Sequence, residues 1–250
     1  MPTLTDTGHG VNMAHFEGLH EFTATLGTHY KPSNSRLVRA ALATQAIECR
    51  GLFDRAEGAK RAYDDAVNAR AEAFKGIPQL CTRLLKSFRA SGATARTIED
   101  AEGLNKKLQA TRATPPPKAA DGAEAAEARS VSQRSFDMVC VNFEKLVAFL
   151  AGKPAYAPAE PELQVAGLQA RLDSMKAANT AVVPLEANLT GALLQRDIAF
   201  YAPETGLVDT ALAVKEYIGS LDRKVVPAAA GVKAFRFRNL RGRLEKAGLA

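Results

Sequence analysis

Four histidines lie within the first 29 residues and form the only local concentration of side chains that could bind a metal: His9, His15, His20 and His29. His15 and His20 are five residues apart, so on a helix they point to different faces. A zinc site on a helix uses residues three or four apart. The spacing therefore predicts no metal site. We expect residues 1–29 to form a weakly structured lead, in which Met13, Phe16, Leu19 and Phe22 or Thr23 could form a short amphipathic helix.

Catalytic motifs of other kinds are missing from the sequence. It contains no phosphate-binding loop, no G-x-G-x-x-G turn, no H-E-x-x-H, no pair of C-x-x-C motifs and no G-x-S-x-G. The three cysteines, Cys49, Cys81 and Cys140, are far apart and lie among apolar residues, which is typical of small buried side chains. We predict no catalytic residue and no cofactor. An enzyme remains an alternative, because catalytic residues need not form a sequence motif.

Two arginines occupy equivalent places in the pattern of apolar residues. Arg70 precedes Phe74 by four residues, and Arg196 precedes Phe200 by four residues. A charged side chain on or near an apolar face needs a partner, because an unpaired buried charge is costly. We therefore expect each arginine to form an ion pair or to cap a backbone carbonyl. A paired anion site formed by both arginines is the alternative.

The C-terminal residues 223–250 contain eight basic residues and one acidic residue, whereas the preceding 222 residues carry 25 basic and 26 acidic side chains. The formal charge of +6 therefore resides in this tail. Basic residues interleaved with aromatic rings can hold phosphates and stack on bases. The same alternation suits an extended segment that packs its rings on the protein, and we favour this packing interpretation. The residues concerned are Phe235, Arg236, Phe237, Arg238 and Arg241.

The periodicity of the apolar residues predicts an all-α fold. The chain is rich in Ala and Leu, which favour helix, and runs of alternating β-branched residues are almost absent. Between Tyr156 and Tyr217 the apolar residues recur every three or four positions, which predicts one long helix, a break and a shorter returning helix. A similar long helix is expected to end near Phe74, followed by a shorter one.

A shift of 126 residues places Tyr30-Lys-Pro32 on Tyr156-Ala-Pro158 and also aligns Arg70 with Arg196. We predict an elongated helical bundle built from two repeated long–short helical hairpins. Pro115, Pro116 and Pro117 interrupt the helical pattern between them. The predicted organisation is a lead over 1–29, a first helical half over 30–110, a linker over 111–129, a second half over 130–222 and a basic tail over 223–250.

Several short segments resemble a family of uncharacterised bacterial helical proteins of about this size. They are Ser130-Val-Ser-Gln133, Tyr156-Ala-Pro-Ala159, Asn179-Thr-Ala-Val-Val183, Tyr201-Ala-Pro-Glu-Thr-Gly-Leu-Val-Asp209, Lys215-Glu-Tyr217, Thr97-Ile-Glu-Asp-Ala101 and Lys106-Lys-Leu108. The resemblance covers roughly residues 30–240 and is weakest between Leu221 and Lys233. It implies two related helical halves, but no activity, ligand or catalytic residue.

Together these features predict a non-enzymatic helical protein that works as a structural or assembly component, with a protein partner or a second copy. One alternative is a nucleic-acid-associated protein that binds through its basic tail, and another is a helical pore-forming or membrane-associated protein. No apolar run reaches the roughly 20 residues that span a bilayer. Residues 1–16 show no standard signal peptide, so we expect a cytoplasmic protein.

Overall fold

The computed structural model describes residues 4–109, 135–240 and 242. Over these residues the chain forms seven α-helices and three 3₁₀ turns, with no strand, so the all-α prediction is confirmed. The helices are α1 (Leu4–Thr25), α2 (Arg39–Phe74), α3 (Ile77–Arg89), α4 (Ala95–Lys106), α5 (Phe136–Ala151), α6 (Val165–Tyr201) and α7 (Leu207–Gly219). The 3₁₀ turns are Gly27–His29, Ser35–Leu37 and Pro227–Ala234.

Local sequence explains where three of the helices begin. The side chains of Thr94 and Ser135 cap α4 and α5 by accepting hydrogen bonds from backbone N–H groups of the first turn. Between α2 and α3, Gly76 has a φ of +78°, a left-handed conformation that glycine adopts without a steric penalty. Pro78 then occupies the first turn of α3, where a missing N–H costs no helical hydrogen bond.

The N-terminal region differs from the weakly structured lead that the sequence predicts for residues 1–29. Helix α1 covers Leu4–Thr25, and Met13, Phe16 and Leu19 on one side of it are almost completely buried. The stripe itself predicts a short helix, and three glycines and several polar residues hide the full length of α1 in the sequence. Tertiary packing therefore decides the structure of this segment, as it does for most helices in proteins.

The chain divides into two compact units. One comprises Met1–Tyr63 and Leu185–Ala250, and the other comprises the contiguous stretch Asp64–Pro184. These units do not coincide with the predicted halves 30–110 and 130–222, because α2 and α6 each contribute residues to both units. The predicted linker over 111–129 lies outside the described residues.

The first unit has a core built from the two ends of the chain. Met13, Phe16 and Leu19 of α1 pack in one cluster with residues of the early part of α2, the end of α6 and α7. Helix α7 buries one face there: Leu207, Val208, Ala211, Val214 and Ile218. Ala229 and Val232 of the last 3₁₀ turn complete the cluster. Residues far apart in sequence therefore form this core.

The second unit has a separate core in which α3, α4 and α5 meet the start of α6. Helix α3 contributes Ile77, Cys81, Leu84, Leu85 and Phe88, and α5 contributes Cys140, Phe143, Leu146, Val147 and Leu150. Leu168, Leu172 and Met175 of α6 are fully buried in the same cluster.

One tyrosine in each unit makes the same contact. The hydroxyl of Tyr30 donates a hydrogen bond of 2.7 Å to the carbonyl oxygen of Leu37, and that of Tyr156 donates one of 2.6 Å to the carbonyl oxygen of Leu163. Burial raises the pKa of each tyrosine to about 12. Each hydroxyl closes the loop that leads into a long helix, α2 in one case and α6 in the other.

Candidate functional site

The most concentrated group of polar side chains in the described part of the chain lies in the first unit, and we call it the polar cluster. It consists of His9, Asn12, Arg196, Asp197 and Tyr201, each at most 3% exposed. Arg196 and Asp197 are neighbours on α6. The Nε and Nη2 groups of Arg196 donate to Oδ1 of Asp197 at 3.0 and 2.7 Å. Nη1 of Arg196 has no hydrogen-bond partner among the described residues.

Helix α1 supplies the other half of the polar cluster. Nδ1 of His9 lies 2.8 Å from the hydroxyl of Tyr201, and Nε2 of His9 lies 3.9 Å from Oδ1 of Asp197. The Nδ2 group of Asn12 donates to the same tyrosine hydroxyl at 3.2 Å. Burial raises the pKa of Tyr201 well above its usual value, while the Asn12 hydrogen bond acts in the opposite direction. The phenol therefore stays protonated at neutral pH.

The residue types of the polar cluster are those of acid–base chemistry, but their burial restricts what they can do. A substrate needs access to a reacting group, and no member of the cluster is more than 3% exposed. The contacts instead join α1 to the end of α6. Buried polar groups that are hydrogen-bonded in this way fix a helix in one position. The polar cluster thus positions the surface of α1 on which the C-terminal segment lies.

From the sequence, Arg196 is identified as a site candidate and His9 only as a possible metal ligand, whereas Asn12 and Tyr201 are missed. The available signal is weak: two polar residues three apart on α1, next to the buried Met13. Asn12 and Tyr201 are 189 positions apart in the chain, so a pattern within one helix does not reveal their pairing.

Arg70 has surroundings unlike those of Arg196. Its guanidinium carbon lies 4.3 Å from the centre of the Phe136 ring, and that ring packs edge-on against Phe74 at 4.7 Å. A guanidinium group over an aromatic ring is stabilised by the quadrupole of the ring. The Nε group of Arg70 has no hydrogen-bond partner among the described residues. Arg70 belongs to the second unit and Arg196 to the first.

The tail crosses the surface of α1 in an extended conformation. We call residues 235–240 the C-terminal strap. The ring of Phe235 lies 5.6 Å from that of Phe22 and 6.2 Å from that of His15, and the ring of Phe237 lies 6.1 Å from His15. Both phenylalanines are partly buried against the core of the first unit, whereas Arg236 and Arg238 are exposed. Arg241, the fifth predicted contact residue, lies outside the described residues.

Hydrogen bonds to its backbone also hold the C-terminal strap. Oδ1 of Asn12 accepts a bond of 2.8 Å from the N–H of Arg238, and Nδ2 of Asn12 donates one of 2.8 Å to the carbonyl oxygen of Arg238. Nζ of Lys215, on α7, donates to the carbonyl oxygen of Phe235 at 2.5 Å. Asn12 therefore belongs both to the buried polar cluster and to the surface that binds the strap.

The other histidines and the cysteines that the sequence offers as possible ligands do not come together at one site. His20 lies 3.2 Å from Oε1 of Glu21, while His15 contacts the two phenylalanines of the C-terminal strap. Within residues 4–109 and 135–240, no group of three or more histidine, cysteine, aspartate or glutamate side chains could hold a metal ion. Cys49, Cys81 and Cys140 are buried free thiols, and burial raises their pKa values.

The second unit has an open groove of about 560 Å³ beside the start of α3. Its charged lining consists of Lys75, Arg83, Arg171 and Glu162. Arg83 forms an ion pair of 2.6 Å with Glu162, and Arg171 donates to the carbonyl oxygen of Lys75 at 2.8 Å. The charges in this groove are thus largely engaged with the protein itself.

Comparisons of the chain with protein-family models, with curated proteins and with solved structures found no match. The resemblance to a family of bacterial helical proteins therefore stays a prediction. None of the helices in the described ranges is long and apolar enough to cross a membrane.

Proposed function

We propose that the protein is a structural component that assembles with a second copy of itself, and that one face of α6 forms the contact. The exposed residues Ala187, Gly191, Leu194 and Ile198 are four, three and four positions apart, so they form one stripe. Leu194 is 38% exposed and Ile198 is 41% exposed, although both are large aliphatic side chains. We call these four residues the α6 stripe.

Charge supports the same proposal. Between Leu185 and Ala199 the charged residues are Glu186, Arg196 and Asp197, and the last two are buried and bonded to each other. The exposed surface of this stretch therefore carries one charge, in a chain in which 24% of residues are charged. Depletion of charge is typical of the buried centre of a protein–protein interface.

A second copy of α6 is the partner that suits this stripe best. Alternating spacings of three and four residues form the seam between two packed helices, and the small Ala187 and Gly191 leave room for larger side chains opposite. A two-fold axis brings the same patch of both copies together. The stripe alone is smaller than the roughly 800 Å² per partner of a standard interface, so we expect a dimer that dissociates on dilution.

Sedimentation velocity over a range of protein concentrations tests the α6 stripe. We expect the wild type to change from monomer to dimer, and Leu194→Glu with Ile198→Glu to dimerise at least about tenfold more weakly with an unchanged circular dichroism spectrum. Leu212→Glu on α7 is the matched control, since Leu212 is 44% exposed in the same unit. A wild type that stays monomeric at all concentrations, or a double variant that dimerises normally, would refute the proposal.

We also propose that the chain contains two copies of one helical pattern, as its sequence predicts. Helix α2 has 36 residues and α6 has 37, and each is followed by a helix of 13 residues. Helices α2 and α6 begin 126 positions apart, the same separation as between Tyr30 and Tyr156. The two matching hydroxyl-to-carbonyl bonds support this proposal most directly.

Nucleic-acid binding through the tail is a second candidate function, favoured by one observation. Arg236 and Arg238 are exposed, while Lys215 holds the backbone of Phe235 and Asn12 holds that of Arg238. Binding of this kind would weaken steeply with salt, because each neutralised phosphate releases counterions. Fluorescence anisotropy of labelled nucleic acid at low and moderate salt tests it. Arg236→Gln with Arg238→Gln should weaken binding and reduce its salt dependence if the tail carries it, while six of the eight basic residues remain.

A further inference from the structure

The surface of α1 under the C-terminal strap has the features of a peptide-binding groove. A Cβ atom on Gly8 would come within 2.8 Å of Cδ1 of Leu240, and a Cβ atom on Gly18 would come within 2.8 Å of Cε1 of Phe235. Glycine inside a helix costs about 1 kcal/mol relative to alanine. The two glycines are therefore placed where α1 must leave room for side chains of the strap.

Between these two glycines, Asn12 recognises the backbone of the strap. Its side-chain amide donates to the carbonyl oxygen and accepts from the N–H of one residue, Arg238, whatever side chain that residue carries. Backbone hydrogen bonds combined with places for alternate side chains are how proteins bind extended peptides. The pattern that fits this groove is Phe-x-Phe-x-x-Leu, which the chain provides at Phe235, Phe237 and Leu240.

Departure of the strap would be unfavourable unless the groove were filled again. Asn12 is 0% exposed and would lose both of its bonds to Arg238. The rings of His15 and Phe22 would lose their contacts with Phe235. None of these contacts requires the strap to belong to the same chain, since every one of them is made by side chains or backbone beyond Ala234.

We propose that the groove on α1, formed by Gly8, Asn12, His15, Gly18 and Phe22, binds the C-terminal strap of a second copy, so that two molecules exchange their tails. Exchange of an identical segment replaces each contact by the same contact and is a low-cost route to a dimer. The proposal does not rest on the α6 stripe, because the two surfaces share no residue. Dimerisation through the α6 stripe and exchange of the straps can therefore be refuted separately.

Two full-length variants with complementary defects test the exchange. The groove variant carries Gly8→Leu and Gly18→Leu, which fill the spaces that Leu240 and Phe235 occupy. The strap variant carries Phe235→Ala, Phe237→Ala and Leu240→Ala. Both are made in a background of Leu194→Glu and Ile198→Glu, so that contact through the α6 stripe cannot contribute. Native mass spectrometry then distinguishes the two chains by mass.

Each variant alone should be monomeric, because one lacks an open groove and the other lacks a strap that fits. Their mixture should contain a heterodimer in which the groove variant donates its tail to the strap variant. A fluorescein-labelled peptide of residues 233–242 should bind the strap variant at least about tenfold more tightly than the groove variant, a difference of about 1.4 kcal/mol. Arg236→Gln with Arg238→Gln should not change the exchange, since both side chains are exposed.

Absence of a heterodimer in the mixture, with both variants folded by circular dichroism, would overturn the proposal even if the peptide binds. In that case the groove would serve the strap of its own chain only. Should the strap variant fail to fold, Phe237→Ala alone replaces it, because Phe237 is only partly buried and its ring contacts that of His15. Failure of that milder variant to bind the labelled peptide or to form the heterodimer would overturn the exchange equally.

Discussion

Removing the hydroxyl groups of Tyr30 and Tyr156 should destabilise the protein by equal amounts. In Tyr30→Phe and Tyr156→Phe the ring stays in place, so its packing against Tyr217 in one unit and against Phe88 in the other is retained. What is lost is one buried hydrogen bond of 2.7 or 2.6 Å to a backbone carbonyl. A buried acceptor that loses its donor lowers the free energy of unfolding by about 1–3 kcal/mol, and we expect a decrease in this range for each variant.

The two losses should also add. Tyr30 and Tyr156 belong to different core clusters, and sites without shared partners are additive within about 0.5 kcal/mol. The double variant should therefore lose about 2–6 kcal/mol, twice the single value. Urea unfolding followed by circular dichroism measures the free energies, and an unchanged m-value shows that the change is one of stability.

Tyr63→Phe is the matched control, because Tyr63 is a partly buried tyrosine of α2 whose hydroxyl makes no hydrogen bond to the described residues. Its substitution should change the free energy of unfolding by less than about 0.5 kcal/mol, as is usual away from buried partners. If Tyr30→Phe or Tyr156→Phe is no worse than this control, the two hydroxyl groups do not close their loops as we infer. A loss at only one of them would refute their equivalence.

Three further outcomes are expected. Gly51→Ala should raise the midpoint of thermal unfolding, since a Cβ there meets nothing within 4 Å, whereas Gly18→Ala should lower it by displacing a ring of the strap. Arg196→Met should lower the free energy of unfolding, measured in urea, by about 3–5 kcal/mol, because the carboxylate of Asp197 stays buried after its arginine is removed. Adding Asp197→Leu makes both positions neutral and should recover part of that free energy. Thermal stability should fall progressively between pH 9 and pH 12. Burial raises the pKa of Cys49 and Cys81 to about 12 in the folded state, whereas the thiols of the unfolded chain ionise near pH 9. A midpoint of thermal unfolding that stays constant over this range would contradict this.

The long helices could be predicted from the sequence because their apolar stripes are regular. Helix α2 ends at Phe74, as expected, and the shorter helix α3 follows it, also as expected. Helix α1 could not be predicted to its full length, since its polar His9 and Asn12 interrupt the stripe. Both residues have partners near the other end of the chain: Tyr201 lies 189 positions from Asn12, and Arg238 lies 226 positions from it.

The two equivalent arginines of the internal pattern, Arg70 and Arg196, show the same limit to what the sequence predicts. Sequence analysis places both on or near an apolar face that requires a partner for the charge. The kind of partner depends on which residue the fold brings near. For Arg196 it is the carboxylate of Asp197, and for Arg70 it is the ring of Phe136, which no pattern of nearby acidic residues indicates.

The division of the chain into a contiguous unit and a unit made from both ends has a consequence for synthesis of the protein. The stretch Asp64–Pro184 can complete its core as soon as Pro184 has been made. Helix α1, in contrast, must wait for α7 and for the strap that ends at Leu240. At about 5–20 residues per second, synthesis of the chain from the end of α1 at Thr25 to Leu240 takes roughly 10 to 45 seconds. During that time Met13, Phe16 and Leu19 lack their final partners, so α1 reaches its buried position only once Leu240 has been made.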